Sequence, residues 1–357
     1  MRMRDAFPGR GAALLLLLGL CAACATPAPR GEPTAPSSAT GAPAPVPDRG
    51  AAPAPITAHL AYTTTNAATT PMWLAQEAGL FREQGLETTL VRIPAGAPLL
   101  AALQNGDVAV VMAGGPQIVD AVLQGGDQVI VGSLTNYHNQ ALYGAPAFPT
   151  AETLRGQAVG VSRHGASSDV AGREALRRYG LEPGRDVAIL ATGGNSESVA
   201  AMQAGTVQGI VVSPPLGLEA KRLGLHLLID ITSLRLPSPG STLSTTRPYL
   251  REHANVVERV VRAVVGGVHR FETDPEAALA AIARYTDVQE RDVLEDTYAY
   301  FRGRLQRDLY PSLESLDAEL RSHGDVPAAA SARPEQFVDL AIVDRLRAEG
   351  YAEALYR

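Results

Sequence analysis

The 357-residue sequence has two cysteines, Cys21 and Cys24, and a single lysine, Lys221, among its 31 basic residues. Both cysteines fall at an N-terminal processing region, so at most one stays in a mature chain, which excludes a disulfide framework and a cysteine-based metal centre. The scarcity of lysine is a matter of coding composition and carries no functional reading. An excess of positive charge is also missing: the net charge of -6 and pI near 5.7 argue against a nucleic-acid partner. The apolar run Ala12 to Leu20 is too short to span a bilayer as a stable helix. The chain has no G-x-S-x-G nucleophile elbow, no glycine-rich dinucleotide or P-loop pattern and no H-E-x-x-H spacing. Neither a cofactor nor a metal site is therefore expected, and no catalytic residue is assigned.

What is present begins with an address. Met1-Arg2-Met3-Arg4 and Arg10 supply a positive start, Ala12 to Leu20 an apolar core, and Cys21-Ala22-Ala23-Cys24 resembles a bacterial lipoprotein signal. Residues 1–23 are read as that signal and Cys24 as the lipidated first residue of the mature chain; an ordinary secretory signal is the alternative. From Ala25 to Pro55 there are nine prolines and hardly an apolar side chain larger than alanine, so residues 24–55 read as an extended tether with no core to bury. About 300 residues remain from Ile56, enough for two lobes.

An internal repeat carries the fold argument. Ala101-Ala102-Leu103-Gln104-Asn105-Gly106-Asp107-Val108, ending in Gly114-Gly115-Pro116, returns 99 residues later as Ala200-Ala201-Met202-Gln203-Ala204-Gly205-Thr206-Val207, ending in Ser213-Pro214-Pro215. The same offset lays His59–Thr70 on Ala158–Asp169 and Leu86–Val91 on Arg185–Leu190, so strand, helix, strand, helix, strand occurs twice. Such alternation makes parallel sheet with right-handed crossovers, and the fold class is α/β with two Rossmann-like lobes. Ligands of open α/β sheets sit beyond the carboxyl ends of the strands. That singles out four turns: Thr63–Thr70, Ala113–Pro116, Ser162–Asp169 and Val212–Pro215.

The chain resembles a known family at Pro71-Met72-Trp73-Leu74-Ala75-Gln76-Glu77-Ala78-Gly79-Leu80-Phe81, Gln84-Gly85-Leu86-Glu87, Ala102-Leu103-Gln104-Asn105-Gly106-Asp107, Leu154-Arg155-Gly156-Gln157-Ala158-Val159-Gly160-Val161 and Ala201-Met202-Gln203-Ala204-Gly205. The family is the type II periplasmic solute-binding proteins of ABC importers, in the branch related to sulfonate-, taurine-, nitrate- and thiamine-precursor-binding proteins. The resemblance implies two lobes joined by two crossover segments, near Tyr143–Thr150 and Arg235–Thr245, with a ligand cleft between them. Lobe 1 would comprise residues 56–143 and 236–357, and lobe 2 residues 144–235. It also implies an extracytoplasmic, monomeric protein that hands a small solute to a membrane permease, lipid-anchored here through the Cys24 signal. The valine stripe Val256, Val257, Val260, Val261, Val264, Val265 and Val268 and the helix start Asp274-Pro275-Glu276 read as helices completing the first lobe.

Ser162, His164 and Asp169 are neighbours on one turn, whereas triad members converge from separate loops, so a catalytic reading is set aside. A helix starting at Ser167 or Ser168 instead offers free N–H groups and a positive dipole end beside Arg163, His164 and Gly165. In the matching turn Thr63, Thr64 and Asn66 are neutral donors, and Tyr62 is a candidate for stacking on a planar ligand, with a core position as its alternative. Gly114, Gly115, Tyr137, His138, Ser213 and Pro214 complete the candidate ligand-binding set, and Trp73 reads as core. An enzyme on the same fold, related to thiamine-pyrimidine synthesis, and a ligand-sensing lobe of a signalling system are the competing functions. The enzyme resemblance implies a cofactor-bound lysine and a cysteine-rich motif, and the chain lacks that motif.

Overall fold

The computed structural model describes residues 54–216, 220, 222–323 and 326–357; the signal 1–23, Cys24, nearly all of the tether and Lys221 lie outside them. Among the described residues ten strands make two mixed five-stranded sheets. The first has the order β2-β1-β3-β10-β4 and the second β7-β6-β8-β5-β9. The strands are β1 (Ile56–Tyr62), β2 (Leu86–Arg92), β3 (Val110–Gly114), β4 (Gln128–Ser133), β5 (Ala141–Gly144), β6 (Ala158–Val161), β7 (Ala188–Ala191), β8 (Gly209–Val212), β9 (His226–Ile229) and β10 (Ser241–Thr246). The 99-residue offset holds in three dimensions: His59–Tyr62 of β1 maps onto β6, and β3 and β8 begin at equivalent positions. Each copy places its parallel strands in the same order, β2-β1-β3 and β7-β6-β8.

Parallel strands covered on both sides need apolar residues of both parities. In the first sheet Leu60, Tyr62, Val110 and Met112 face one core, packed by α1 (Thr70–Glu77) and α8 (Ala254–Thr273). Ala61, Val111 and Ala113 face the other, packed by α3 (Ala97–Gln104), α4 (Gly115–Leu123) and α11 (Leu313–Ser322). The valine stripe lies on α8 and is buried throughout, and the Asp274 side chain accepts from Ala277 N at 3.1 Å to start α9 (Pro275–Thr286). Two smaller cores flank the second sheet, one with α5 (Ser167–Arg178) and one with α6 (Asn195–Gln203). Between α6 and α11 lie α7 (Arg247–Glu252) and α10 (Arg291–Phe301).

The antiparallel strand of each sheet arrives from the other lobe's side of the chain. β5 inserts between β8 and β9, and β10 between β3 and β4. Tyr143 is consequently buried within the second sheet, and the first crossing occupies residues 134–140, earlier than the expected stretch Tyr143–Thr150. The second occupies residues 230–240. The crossings pair with each other: His138 N donates to Leu236 O at 3.1 Å, Ser238 N to Asn136 O at 3.2 Å and Gly240 N to Thr135 O at 2.9 Å. The Thr135 hydroxyl adds an acceptor for Ser241 N at 3.0 Å.

This short ladder ends against Gly115, whose N–H donates to Pro239 O at 2.8 Å and Gly240 O at 3.1 Å. A Cβ at Gly115 would overlap the Pro239 carbonyl oxygen and ring. Because the obstacle is backbone, it cannot rotate away. Gly115→Ala is expected to lower the unfolding free energy by about 1–3 kcal/mol, as overpacking does, read as a lower urea midpoint at unchanged slope.

Candidate functional site

Four strand-end turns meet where the sheets face each other. Ala67 N, after β1, donates to Pro214 O, after β8, at 3.4 Å. Gly114, at the end of β3, packs so closely on α5 that an added Cβ would sit 2.5 Å from Ser167 Oγ. The same construction at Gly165 ends 2.6 Å from Asp120 Oδ2 on α4. The N-termini of α4 and α5, one from each lobe, thus lie across one gap.

The sequence explains each wall. Helix α5 begins at Ser167 after Ala166, with Asp169 N and Val170 N both donating to Ala166 O, at 2.9 and 3.1 Å. The earlier N–H groups of the first turn stay outside the helical ladder. Asp169 accepts from Gly165 N at 2.9 Å and from Arg173 Nε at 2.6 Å, which holds the turn in shape. Gly165 sits at φ 74°, a left-handed conformation that suits glycine. Ser168 Oγ accepts from Ser162 N at 3.0 Å and pairs with Ser162 Oγ at 2.8 Å. The Ser162 hydroxyl is thereby engaged away from His164, whose exposed ring lies 3.9 Å from Asp169. No serine–histidine relay is formed on this turn.

In the facing turn Asn66 caps the 3-10 turn Ala67–Thr69, accepting from Ala68 N at 2.9 Å, and its amide donates to Thr64 Oγ1 at 3.0 Å. Both are therefore shaping residues of the turn, with Thr64 exposed. Thr63 and Ser213 are buried at the strand ends. Three polar atoms on these turns and helix starts are buried and lack a hydrogen-bond partner: Thr63 Oγ1 at the end of β1, Arg163 Nε in the turn before α5, and Gln117 Oε1 in the first turn of α4. Gln117 was not among the sequence candidates; its signal is only its place directly after Gly114-Gly115-Pro116.

Three candidates sit elsewhere. The Tyr62 ring belongs to the core, edge-on to Trp73 at 5.7 Å and to Tyr285 at 6.3 Å, because the even parity of β1 faces α1 and α8. Burial raises its pKa. Tyr137 and His138 lie on the crossing ladder and leave it separately. The Tyr137 hydroxyl donates to Arg304 O at 3.2 Å. His138 is buried, which pushes its pKa down to about 4. Among the described residues no group of three His, Cys, Asp or Glu side chains is placed to hold a metal ion.

Behind α4 lies a cluster that no local pattern announces. His323 Nε2 is 2.7 Å from Asp120 Oδ1, and its Nδ1 is 2.8 Å from Glu319 O. With an acceptor at each nitrogen the ring is held as imidazolium, and the Asp120 hydrogen bond raises its pKa to about 9. Glu319 is 1% exposed and has one long bond, from Ser238 Oγ at 3.5 Å. Burial raises its pKa to about 7. The cluster ties α11 and the second crossing to α4, and sets Asp120 against Gly165 of the other lobe.

A family model described as the NMT1-like family matches residues 51–285. The chain belongs to the NMT1-like family. No curated protein matches it. Among solved structures, this NMT1-like chain is similar to the alkanesulfonate-binding protein SsuA from Xanthomonas axonopodis pv. citri bound to MOPS, at 22% identity and TM-score 0.67, over 81% of this chain and 100% of that one. It is also similar to the periplasmic nitrate-binding protein NrtA from Synechocystis PCC 6803, at 14% identity and TM-score 0.68, covering 85% and 90%. A DSZB variant in complex with biphenyl-2-sulfinic acid matches at 15% identity and TM-score 0.59, covering 82% and 99%. The fold they share is the periplasmic binding protein fold.

The cluster gives this NMT1-like protein a pH dependence of defined sign. Glu319, raised from 4.5 to about 7, contributes stability present below pH 4.5 and lost as pH rises through about 7. His323, raised from 6.5 to about 9, contributes stability present below pH 6.5 and lost as pH rises through about 9. The unfolding free energy is expected to fall with rising pH across both windows. Glu319→Gln should flatten the lower window and His323→Gln the upper one in denaturation series at stepped pH.

Proposed function

We propose that the protein is the extracytoplasmic solute-binding component of an ABC importer, a monomer that takes a small oxyanion-bearing solute between its lobes and presents it to a membrane permease. The carrying observation is the pair of helix N-termini, α4 and α5, facing one gap from different lobes with Thr63 Oγ1, Gln117 Oε1 and Arg163 Nε unpartnered beside it. The free N–H groups at the start of α5 and the positive dipole ends of both helices favour an anion, and Arg163 adds a charged donor. Sulfonates, nitrate and carboxylates have the required acceptors; a heteroaromatic anion fits the same donors. Similarity to proteins named for binding an alkanesulfonate and nitrate supports this reading. Two crossings that pair in one ladder supply a hinge about which such lobes would close.

The reading includes an anchor. Cys24 would carry the lipid and residues 25–55 would hold the lobes away from the membrane surface. Cys24→Ser is expected to move the protein from the membrane fraction to the soluble one without changing its unfolding midpoint; identical partitioning of variant and parent would remove the anchor from the proposal.

The solute test is native mass spectrometry of the purified protein followed by calorimetric titration with an alkanesulfonate, nitrate and carboxylate panel. Arg163→Ala should weaken the best ligand by about 1.5–3 kcal/mol, the range of a charge-assisted hydrogen bond, with little change in stability. Thr63→Val and Gln117→Ala should also weaken it. Unchanged affinity in all three would move the site away from this gap. Recovery of a chemically altered solute would favour an enzyme on this fold, a possibility raised by the similarity to the DSZB variant.

A further inference from the structure

A second cavity, of about 580 Å³, opens between α5 of the second lobe and α11 on the first. Its floor is the crossing ladder, through His138, Leu236 and Pro237. Thr63, Gly114, Ser167 and Ser213 are not part of its lining, so it stands apart from the gap between the helix N-termini.

The cavity is basic. Arg173, Arg177 and Arg178 reach it from α5 and Arg321 from α11, against the acids Glu174 and Glu319. The spacing of Arg173 and Arg177 puts them on one helical face. Arg177 is held only by an exposed pair with Glu182 at 3.4 Å, Arg178 by one with Glu174 at 3.3 Å, and Arg321 by Asp317 one turn earlier. Exposed pairs of this kind contribute little and are readily exchanged for a better acceptor. The floor is polar and incomplete: His138 Nδ1 is buried without a hydrogen-bond partner, on a residue 3% exposed. Such an atom is costly unless something entering the cavity satisfies it, and as an N–H it can donate to an oxyanion.

We infer that this cavity is a second ligand site, which takes a small multivalent oxyanion, a di- or tricarboxylate or a pyrophosphate, through the Arg177 and Arg321 guanidiniums and the polar floor. Forked guanidinium donors match carboxylate and phosphate oxygens in pairs, and the volume lies in the range of small-molecule pockets. Because one wall belongs to each lobe, an occupant joins α5 to α11 and favours the arrangement in which the lobes touch. Arg173, which also holds Asp169 at 2.6 Å, links the site to the Ser162–Asp169 turn. The inference does not require the gap between the helix N-termini to bind a solute.

The test is calorimetric titration of the purified full chain with citrate and with pyrophosphate, against acetate at matched ionic strength. Saturable binding of one polyanion is expected, about tenfold or more tighter than acetate, since at least two charge-assisted contacts separate them. In the Arg177→Ala/Arg321→Ala double variant that binding should fall about tenfold or more at an unchanged unfolding midpoint, and the corresponding double lysine variant should recover part of it. Arg163→Ala should leave it in place. Absence of saturable binding, equal binding by the double alanine variant, or loss in Arg163→Ala would each overturn the inference, the last by placing the anion in the first gap.

Discussion

Residues 135–138 and 236–241 pair antiparallel between the two sheets, and the rest of the molecule is arranged around that ladder. Each crossing ends as the antiparallel strand of the sheet it enters, so the lobes are joined through the interiors of their sheets. The turn of the second crossing at Pro239 and Gly240 accepts the first N–H of α4, which fixes one helix N-terminus of the gap directly to the crossing ladder. Candidate site residues and the crossings are therefore covalent or hydrogen-bonded neighbours. A change of angle between the lobes has a short physical route to the candidate site.

The gap is built from backbone as much as from side chains. Asp169, Ser168 and Asn66 spend their hydrogen bonds on holding turns, which leaves helix N–H groups and a few unpartnered atoms to face an incoming ligand. Backbone donors are fixed in position and lose no rotamer freedom on binding, so they favour an oxyanion without selecting its carrier. Under the proposed function, discrimination would fall to the side chains around them, Thr63, Gln117 and Arg163.

Much of the architecture is legible because the repeat is a statement about backbone order. The offset of 99 residues maps β1 onto β6, and the Ser167 helix start is legible from the strand, small polar turn and helical pattern of Ala158–Arg178. β5 and β10 escape it because they are the inserted strands, with no place in the repeated unit. Tyr62 is ambiguous by sequence because β1 is buried on both faces, and apolar parity does not mark the side nearer a ligand. Tyr137 and His138 are adjacent in sequence yet leave a ladder separately, and nothing local says which way. The Asp120–His323 pair joins residues 203 positions apart, beyond the reach of any spacing rule.

The exchange of strands also sets an order of assembly. All five strands of the second sheet lie between Ala141 and Ile229, a continuous segment that can complete its hydrogen bonding once β9 has emerged. The first sheet cannot: β3 and β4 are not paired with each other, and the strand that fills the place between them is Ser241–Thr246. A growing chain therefore finishes its second lobe while the first still has an open slot, with β3 and β4 offering unpaired edges. Nascent chains ending shortly before Ser241 would hold a closed second lobe and an exposed first one, the length at which a holdase has most to cover.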